Sequence, residues 1–467
     1  MKNVFLLVIY FLLLLEGKGQ GQSNTNNYDY SSYSATSTNT NLSGKTLSSS
    51  KSDQSVVYIT NSGITIKDST LQKTGGDSSN TENSEFYGVN AAVLVQGGEV
   101  KITDGTITTG AKGANAVCAT NSGTVSISGT TVTSTGSSSA RGLHSTYGGK
   151  ITATNVKVSS TGGSCATLAT DRGEGTVSCT GCTLSTAGSG SPLIYSTGTI
   201  TVSGTTGTAN GAQCVVVEGK NTAIVQESSD LKCKGVGNRG DVDHSGIFLY
   251  QSMSGDADTG TATFTCKESK LEIDSTSSVY DSAPMFFITN TAAAINLEDC
   301  EFSYGSGTFL SATTNSAGWG NSGKNGGTVT LTLTNQEIEG DFIVDSGSSL
   351  TINMVNSKIK GKINSDNASS NVAVTLDAAS SITLTGNSYI NFLINADSTG
   401  RNINKGSYSL KANTVKTLSS GKNSTVTNNN YVVDDVYAEF NPYRRSSGSH
   451  LSILKNIYIF FVLALLF

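Results

Sequence analysis

From about Val56 onward one pattern of apolar and polar positions keeps returning: a small residue, an alternating strand, a turn and a second short strand. Residues 98–107, 123–132, 149–158 and 175–184 are copies, and 198–202 opens another. In the first, Val100 and Ile102 alternate with Glu99, Lys101 and Thr103, and Ile107 follows the turn at Asp104-Gly105. Alternation with a period of two is the mark of a half-buried strand. The equivalent positions Val125, Ile151, Val177 and Ile200 are separated by steps of 26, 26 and 23 residues. Later copies are looser: Ala262 with Phe264, Ile295 with Leu297, Val329 with Leu331, and Leu350 with Ile352. The longer steps imply loops inserted at corners. Between copies lies a third apolar strand, as at 116–118, 142–144, 192–195, 214–217, 247–250 and 285–288.

A repeat of three short strands cannot bury an apolar face alone. Stacking each strand on its predecessor makes three parallel sheets around one interior. Gly, Asn and Asp at the corners supply the positive φ that tight bends need. The expectation is therefore an all-β chain: a right-handed, three-sheet parallel β-helix over residues 53–395, with about 12 rungs. A β-sandwich would instead require antiparallel hairpins with two-residue turns. No sustained helical period is visible.

The repeat texture resembles the pectin-lyase-like right-handed β-helix superfamily over about residues 60–395. The stretch 247–258 (IFLYQSMSGDAD), with TGTATFT at 259–265, is similar to a block in large secreted proteins of anaerobic gut bacteria and some microbial eukaryotes, described as adhesin-like or uncharacterised. The resemblance implies a fold and a surface location. It implies no reaction and no ligand.

The flanks read differently. Met1-Lys2-Asn3, an apolar run from Val4 to Leu15 and a small, polar exit predict a signal peptide over residues 1–21. Residues 22–52 lack apolar periodicity and read as a Ser/Thr/Asn-rich disordered arm. Residues 396–445 are expected to be terminal rungs, a cap or a stalk. Ser446, Ser447 and Gly448, a spacer from His450 and an apolar tail from Ile457 to Phe467 form a glycosylphosphatidylinositol (GPI) attachment pattern over 446–467. Together these predict the secretory pathway and the extracellular face of the plasma membrane, with contact to the membrane through a lipid anchor. Asn41, Asn367 and Asn423 stand in glycosylation sequons.

Composition adds limits. Of 467 residues 14% are charged, and the formal net charge is −5. That field is too weak to argue for nucleic acid as a partner. With 52 Gly, 3 Pro and abundant Ser and Thr, the chain would suggest disorder were it not for the alternating apolar runs. No cofactor or metal site is implied. Eight cysteines permit disulfides in an oxidising compartment. Cys179 and Cys182 have CxxC spacing but lie in a strand and turn rather than at a helix N-terminus. Buried stacking is expected for the cysteines, with some bridging neighbouring rungs.

Enzymatic β-helices need carboxylates, or a carboxylate beside a base, gathered at matching rung positions. The densest charged stretch is the corner Arg239, Asp241, Asp243 and His244, which also contains an RGD tripeptide. The corners 171–174 and Asp256 with Asp258 are further candidates. Read separately, all are solvated turns. Ser and Thr pairs outward on the first strand of each copy read as cross-strand pairing, since Glu99, Lys101 and Lys150 interrupt any ice-binding ladder. The middle position of the third strand is mostly apolar: Cys118, His144, Leu168, Ile194, Val216, Phe248, Phe286 and Leu310. If its neighbours point inward, this column points outward. Ile194, Val216, Phe248, Phe286 and Leu310 are then a candidate binding stripe, unless a loop covers it. Trp319 in a Gly-rich loop is a weaker sugar-stacking candidate. The leading expectation is a non-enzymatic surface protein, adhesin-like or a coat component, meeting surface glycans or other cells. A polysaccharide lyase or hydrolase and a passive spacer are the alternatives.

Overall fold

The structure, a computed structural model, describes residues 25–238, 243–419 and 422–432, with side chains described to residue 416. These residues form a parallel β-helix. A 12-stranded, all-parallel sheet makes the first face, from Ala35–Thr38 to Asp341–Val344. A 24-stranded sheet carries the second face and most of the third. A 4-stranded sheet, Glu337–Glu339, Lys358–Gly361, Ser381–Leu384 and Ile403–Asn404, carries the rest of the third.

The second and third faces join because one residue per rung bends the strand through left-handed backbone. Asp68, Asp104, Gly129, Asn155, Gly181 and Gly204 do this with φ between 47° and 64°. Glu268, Asp299, Asn335 and Asn356 continue the column. Each lies two residues beyond an inward position such as Ile102, Ile127, Ala153 or Cys179. Asn, Asp and Gly tolerate this region best, so the corner is written into the sequence at fixed offset.

A second corner depends on close approach. A Cβ on Gly162 would lie 1.9 Å from the carbonyl oxygen of Gly136, and one on Gly188 would lie 1.9 Å from that of Gly162. Only a residue without a side chain permits this rung stacking.

The interior is mainly apolar, with a short polar column at Thr109, Ser134, Ser160 and Thr186. Ile127, Val158, Leu184, Val225 and Leu271 are buried inward positions. Towards the C-terminal end the fillers enlarge to Phe264, Phe286, Phe309 and Phe342, whose rings follow one another at 5.2–5.6 Å. Each such side chain contributes about 1.5–3 kcal/mol by leaving water.

One expectation, the disordered arm, needs correction. Between residues 53 and 395 the second face stacks thirteen strands, in line with about 12 rungs, and Leu42–Ser43 and Leu410–Ser419 extend it to fifteen. The extra rungs come from both flanks. Residues 35–49, expected to be part of a disordered arm, form Ala35–Thr38, Leu42–Ser43 and Thr46–Ser49, each paired in parallel with the next rung. Few apolar residues mark this rung, so its pattern is faint, and the preformed edge of the next rung supplies the ladder. Beyond 395, Ile403–Asn404 and Leu410–Ser419 are rungs, and Lys422–Val432 returns antiparallel on the last of them.

A short helix, Thr81–Tyr87, sits in the corner inserted between Ile66 and Ile102. Asn80 caps its start by accepting from the Glu82 amide at 2.9 Å, and Gly88 ends it at φ 72°. The segments 1–24 and 433–467, and with them the predicted signal peptide, Ser446, Ser447 and Gly448, lie outside the described residues.

Candidate functional site

The middle strand position of the first face is where an outward stripe was expected. Ladder register corrects its membership. Leu168 pairs with Ile194, Ile194 with Val215, Val215 with Ile247, Ile247 with Phe286, and Phe286 with Leu310. Ile194, Phe286 and Leu310 therefore share a column with Leu143 and Val117, whose side chains fill the interior. The other column contains Cys118, His144, Ala169, Tyr195, Val216, Phe248 and Phe287. Val216 and Phe248 lie in this outward column, whereas Ile194, Phe286 and Leu310 lie in the inward one, each beside an outward neighbour. These strands are short and buried on both sides, with no polar alternation to fix parity, and a one-residue slip moves a side chain to the opposite face.

The outward column is not an open surface. Tyr30 and Tyr33 pack on Tyr58, Leu94 and Cys118. Further along, Trp319 packs with Val216, Phe248 and Phe287, flanked by Tyr195, Tyr250 and Ala317. Trp319 is only 6% exposed, and its carbonyl accepts from Asn325 Nδ2 at 2.6 Å. The Trp319 loop thus acts as a cover. Ile343, at the far end of this face, is 44% exposed.

Between these two aromatic patches lies a buried charged network. Arg141 Nη1 donates to Asp171 Oδ2 at 2.7 Å, and Arg141 Nη2 is 3.9 Å from Glu85 of the short helix. His144 Nε2 stands 3.3 Å from Arg141 Nη1 and 2.6 Å from the Glu85 carbonyl. Two rungs beyond His144, Tyr195 lies under the Arg141 guanidinium, with 5.8 Å to the ring centroid. Its hydroxyl donates to Glu218 Oε2 at 2.7 Å, as does that of Tyr250 at 2.8 Å. Ser252 completes the Glu218 shell through its amide and hydroxyl.

Burial sets the protonation behaviour. It pushes the Asp171 carboxyl up to about 7, although Arg141 pulls the other way. It raises Glu218 as well, against the hydroxyls of Ser252, Tyr195 and Tyr250. Burial, reinforced by Arg141, pushes His144 down to about 3, so its ring is neutral. Burial opposes the charge on Arg141, but Asp171 and Glu85 more than offset it and keep the guanidinium protonated.

The expectation of separate solvated corners fails here. Asp171 is buried. Arg172 reaches Asp256 at 3.0 Å across 84 residues of sequence and stacks on Phe86 at 3.5 Å. Lys220 bridges Glu174 at 2.7 Å and Asp258 at 3.0 Å. The two acidic corners are tied together over the first face. Sequence reading missed Glu85, Arg141, Tyr195, Glu218 and Tyr250. Outward parity on the first face, once known, identifies Tyr195 directly, and Glu218 and Tyr250 stand two positions further along their strands.

Of the corner Arg239, Asp241, Asp243 and His244, the first two lie outside the described residues. Asp243 is buried, its carboxylate accepting from the Asn238 amide at 3.2 Å and its carbonyl accepting from Gln213 Nε2 at 2.7 Å. His244 Nδ1 accepts from the Gly237 amide at 2.8 Å. These are bonds that shape a corner. Asn41 and Asn367 are exposed, and the side chain of Asn423 is not described.

Cys179 is bonded to Cys182 within one rung, and Cys266 to Cys300 across two neighbouring rungs. Cys118, Cys165, Cys214 and Cys233 are buried free thiols. Among the described residues no group of three or more His, Cys, Asp or Glu is placed to hold a metal ion, and no helix is long and apolar enough to cross a membrane. No protein family, no curated protein and no solved structure matches the chain.

Proposed function

We propose that this chain is a non-catalytic cell-surface β-helix, an adhesin-like or coat component carried on a GPI anchor and meeting glycans or other cells. One observation carries the non-catalytic part. The richest assembly of charged side chains on the first face is engaged within the protein: Asp171 on Arg141, and Glu218 on two tyrosines and a serine. Such an assembly fixes covering segments to the ladder and keeps the Asp171 and Glu218 carboxyls away from the surface. The display part rests on the leader and tail patterns of the sequence. Phosphatidylinositol-specific phospholipase should release the chain from intact cells, and deleting 446–467 should send it to the medium. Retention of the full-length chain on phospholipase-treated membranes sinks the anchor.

Polysaccharide cleavage is the second reading, and one feature favours it. Asp171 and Glu218 lie two rungs apart on one face, roughly 10 Å by strand spacing, and burial raises both carboxyls. That separation is close to the range used by inverting glycosidases. Turnover of a glycan abolished by Asp171→Asn or Glu218→Gln would establish this reading.

A further inference from the structure

Among the described residues the third face is interrupted once. Glu301–Ser303 pairs backward with Lys270–Ile273, and Glu337–Glu339 pairs forward with Lys358–Gly361. No ladder joins Glu301–Ser303 to Glu337–Glu339, although every earlier rung on this face is continuous. Two side chains bridge the ends of the break. Gln336 accepts from the Cys300 amide at 2.8 Å and donates to the Cys300 carbonyl at 2.6 Å, reproducing a missing rung. At the other end the Tyr304 hydroxyl donates to the Glu339 carbonyl at 2.5 Å.

Strand alternation determines which backbone groups face the break. The Glu301 amide donates to Ser269 on the rung behind, so the N–H and C=O of Phe302 point forward into the opening. Lys358 donates to the Gln336 carbonyl, so the even-numbered residues face forward and the amides of Glu337 and Glu339 point back. A closed-ended window results, about 10 Å long at ~3.3 Å per residue. A polypeptide strand cannot thread through it, because both ends are bridged.

A cavity of about 390 Å³ opens at this window and extends over the outer side of the next strands. Phe302 and Tyr304 form its aromatic end, with fully buried Phe309 behind them. Glu337, Glu339, Lys358 and Lys360 form its rim, with Ser381 and Thr383 beyond. The rim charges cancel in cross-rung pairs: Lys358 to Glu337 at 2.5 Å and Lys360 to Glu339 at 2.6 Å.

We propose that this opening binds one neutral pyranose ring of a glycan. The volume is that of a small-molecule site, apolar at one end with a few convergent polar groups. Aromatic rings suit the C–H face of a sugar, because they are apolar and rigid. Carboxylates, ammonium groups, hydroxyls and unladdered backbone amides suit its ring of hydroxyls. A free acid would meet Glu337 and Glu339, and a free cation would have to displace a lysine already in place. The proposal rests on the glycan-binding reading above and gives it an address.

The test is saturation-transfer NMR on the phospholipase-released chain with the methyl glycosides of glucose, galactose, mannose and N-acetylglucosamine, and with glucuronate and glucosamine as charged probes. At least one neutral glycoside should bind in preference to both charged probes. Thr383→Trp, which fills the cavity from the outer side of a strand, should weaken that binding more than tenfold with an unchanged melting temperature. Glu339→Gln should weaken it as well. Absence of neutral-sugar binding, or binding unaltered in Thr383→Trp, overturns the proposal. The two readings fail separately. Cell adhesion that survives Thr383→Trp removes the site and leaves the adhesin, whereas sugar binding lost in Thr383→Trp without any cell adhesion keeps the site and removes the adhesin.

Discussion

Replacing Arg141 by alanine should loosen the covered face, and by an amount that depends on pH. The guanidinium holds Asp171 at 2.7 Å, stands near Glu85 and lies over Tyr195. Removing one member of a buried ion pair costs about 3–5 kcal/mol when the remaining charge stays ionised. Asp171, however, has an escape. Its folded-state pKa of about 7 lies above the ordinary 3.8. Its own contribution to stability is therefore complete below about pH 4 and is lost as pH rises through about 7. Glu218, raised in the same sense, adds to that trend. At pH 5 the Asp171 carboxyl is already largely protonated, and Arg141→Ala removes chiefly neutral-acceptor hydrogen bonds, about 1–2 kcal/mol. At pH 8 the loss should approach the buried-pair figure. A solenoid unfolds by local units whose stabilities add, so the assay is hydrogen exchange of peptides covering 141–147 and 168–172, corrected for intrinsic rate. Protection should fall by about 3 kcal/mol or more at pH 8 and by half of that or less at pH 5. Equal losses at the two pH values, or a loss under about 1 kcal/mol at pH 8, would refute the reasoning.

Three further outcomes follow from other contacts. Trp319 is the sole tryptophan and is packed on Phe248 at 5.7 Å, so Trp319→Ala should cost about 3–5 kcal/mol locally and expose a dye-binding patch, while acrylamide should quench the wild-type emission poorly. Cys300→Ser opens a link between residues 34 apart and should lower stability by about 3–4 kcal/mol in a denaturant melt. Gly162→Ala places a methyl 1.9 Å from the Gly136 carbonyl oxygen and should cost about 1–3 kcal/mol, whereas alanine at exposed Gly163, whose nearest neighbour would lie at 3.5 Å, should be better tolerated in the same melt.

The legible part of the fold is the part with alternation. Ile127, Ala153 and Cys179 recur with polar neighbours between them, and a Gly or Asn two residues later turns the chain, so both faces and their corner can be read from residue type. The first face offers no such signal. Phe286–Thr289 and Ile247–Tyr250 are covered on both sides, and strands buried on both sides read as continuous apolar runs. That is why Phe286 was placed outward in place of Phe287. The charged network was hidden for a different reason. Arg172 and Asp256, or Glu85 and Arg141, meet only because rungs stack, and nothing in either local stretch marks the partner. The break in the third face was hidden as well, since Phe302 and Ile338 look like any inward pair.

The central claim is that this β-helix binds and displays without cleaving. It is tested most directly by incubating the purified chain with a panel of immobilised glycans and intact cells, measuring both retained protein and newly formed sugar ends. Saturable retention with no new reducing or unsaturated ends is the expected result. Steady release of sugar ends that is lost in Asp171→Asn or Glu218→Gln would contradict it.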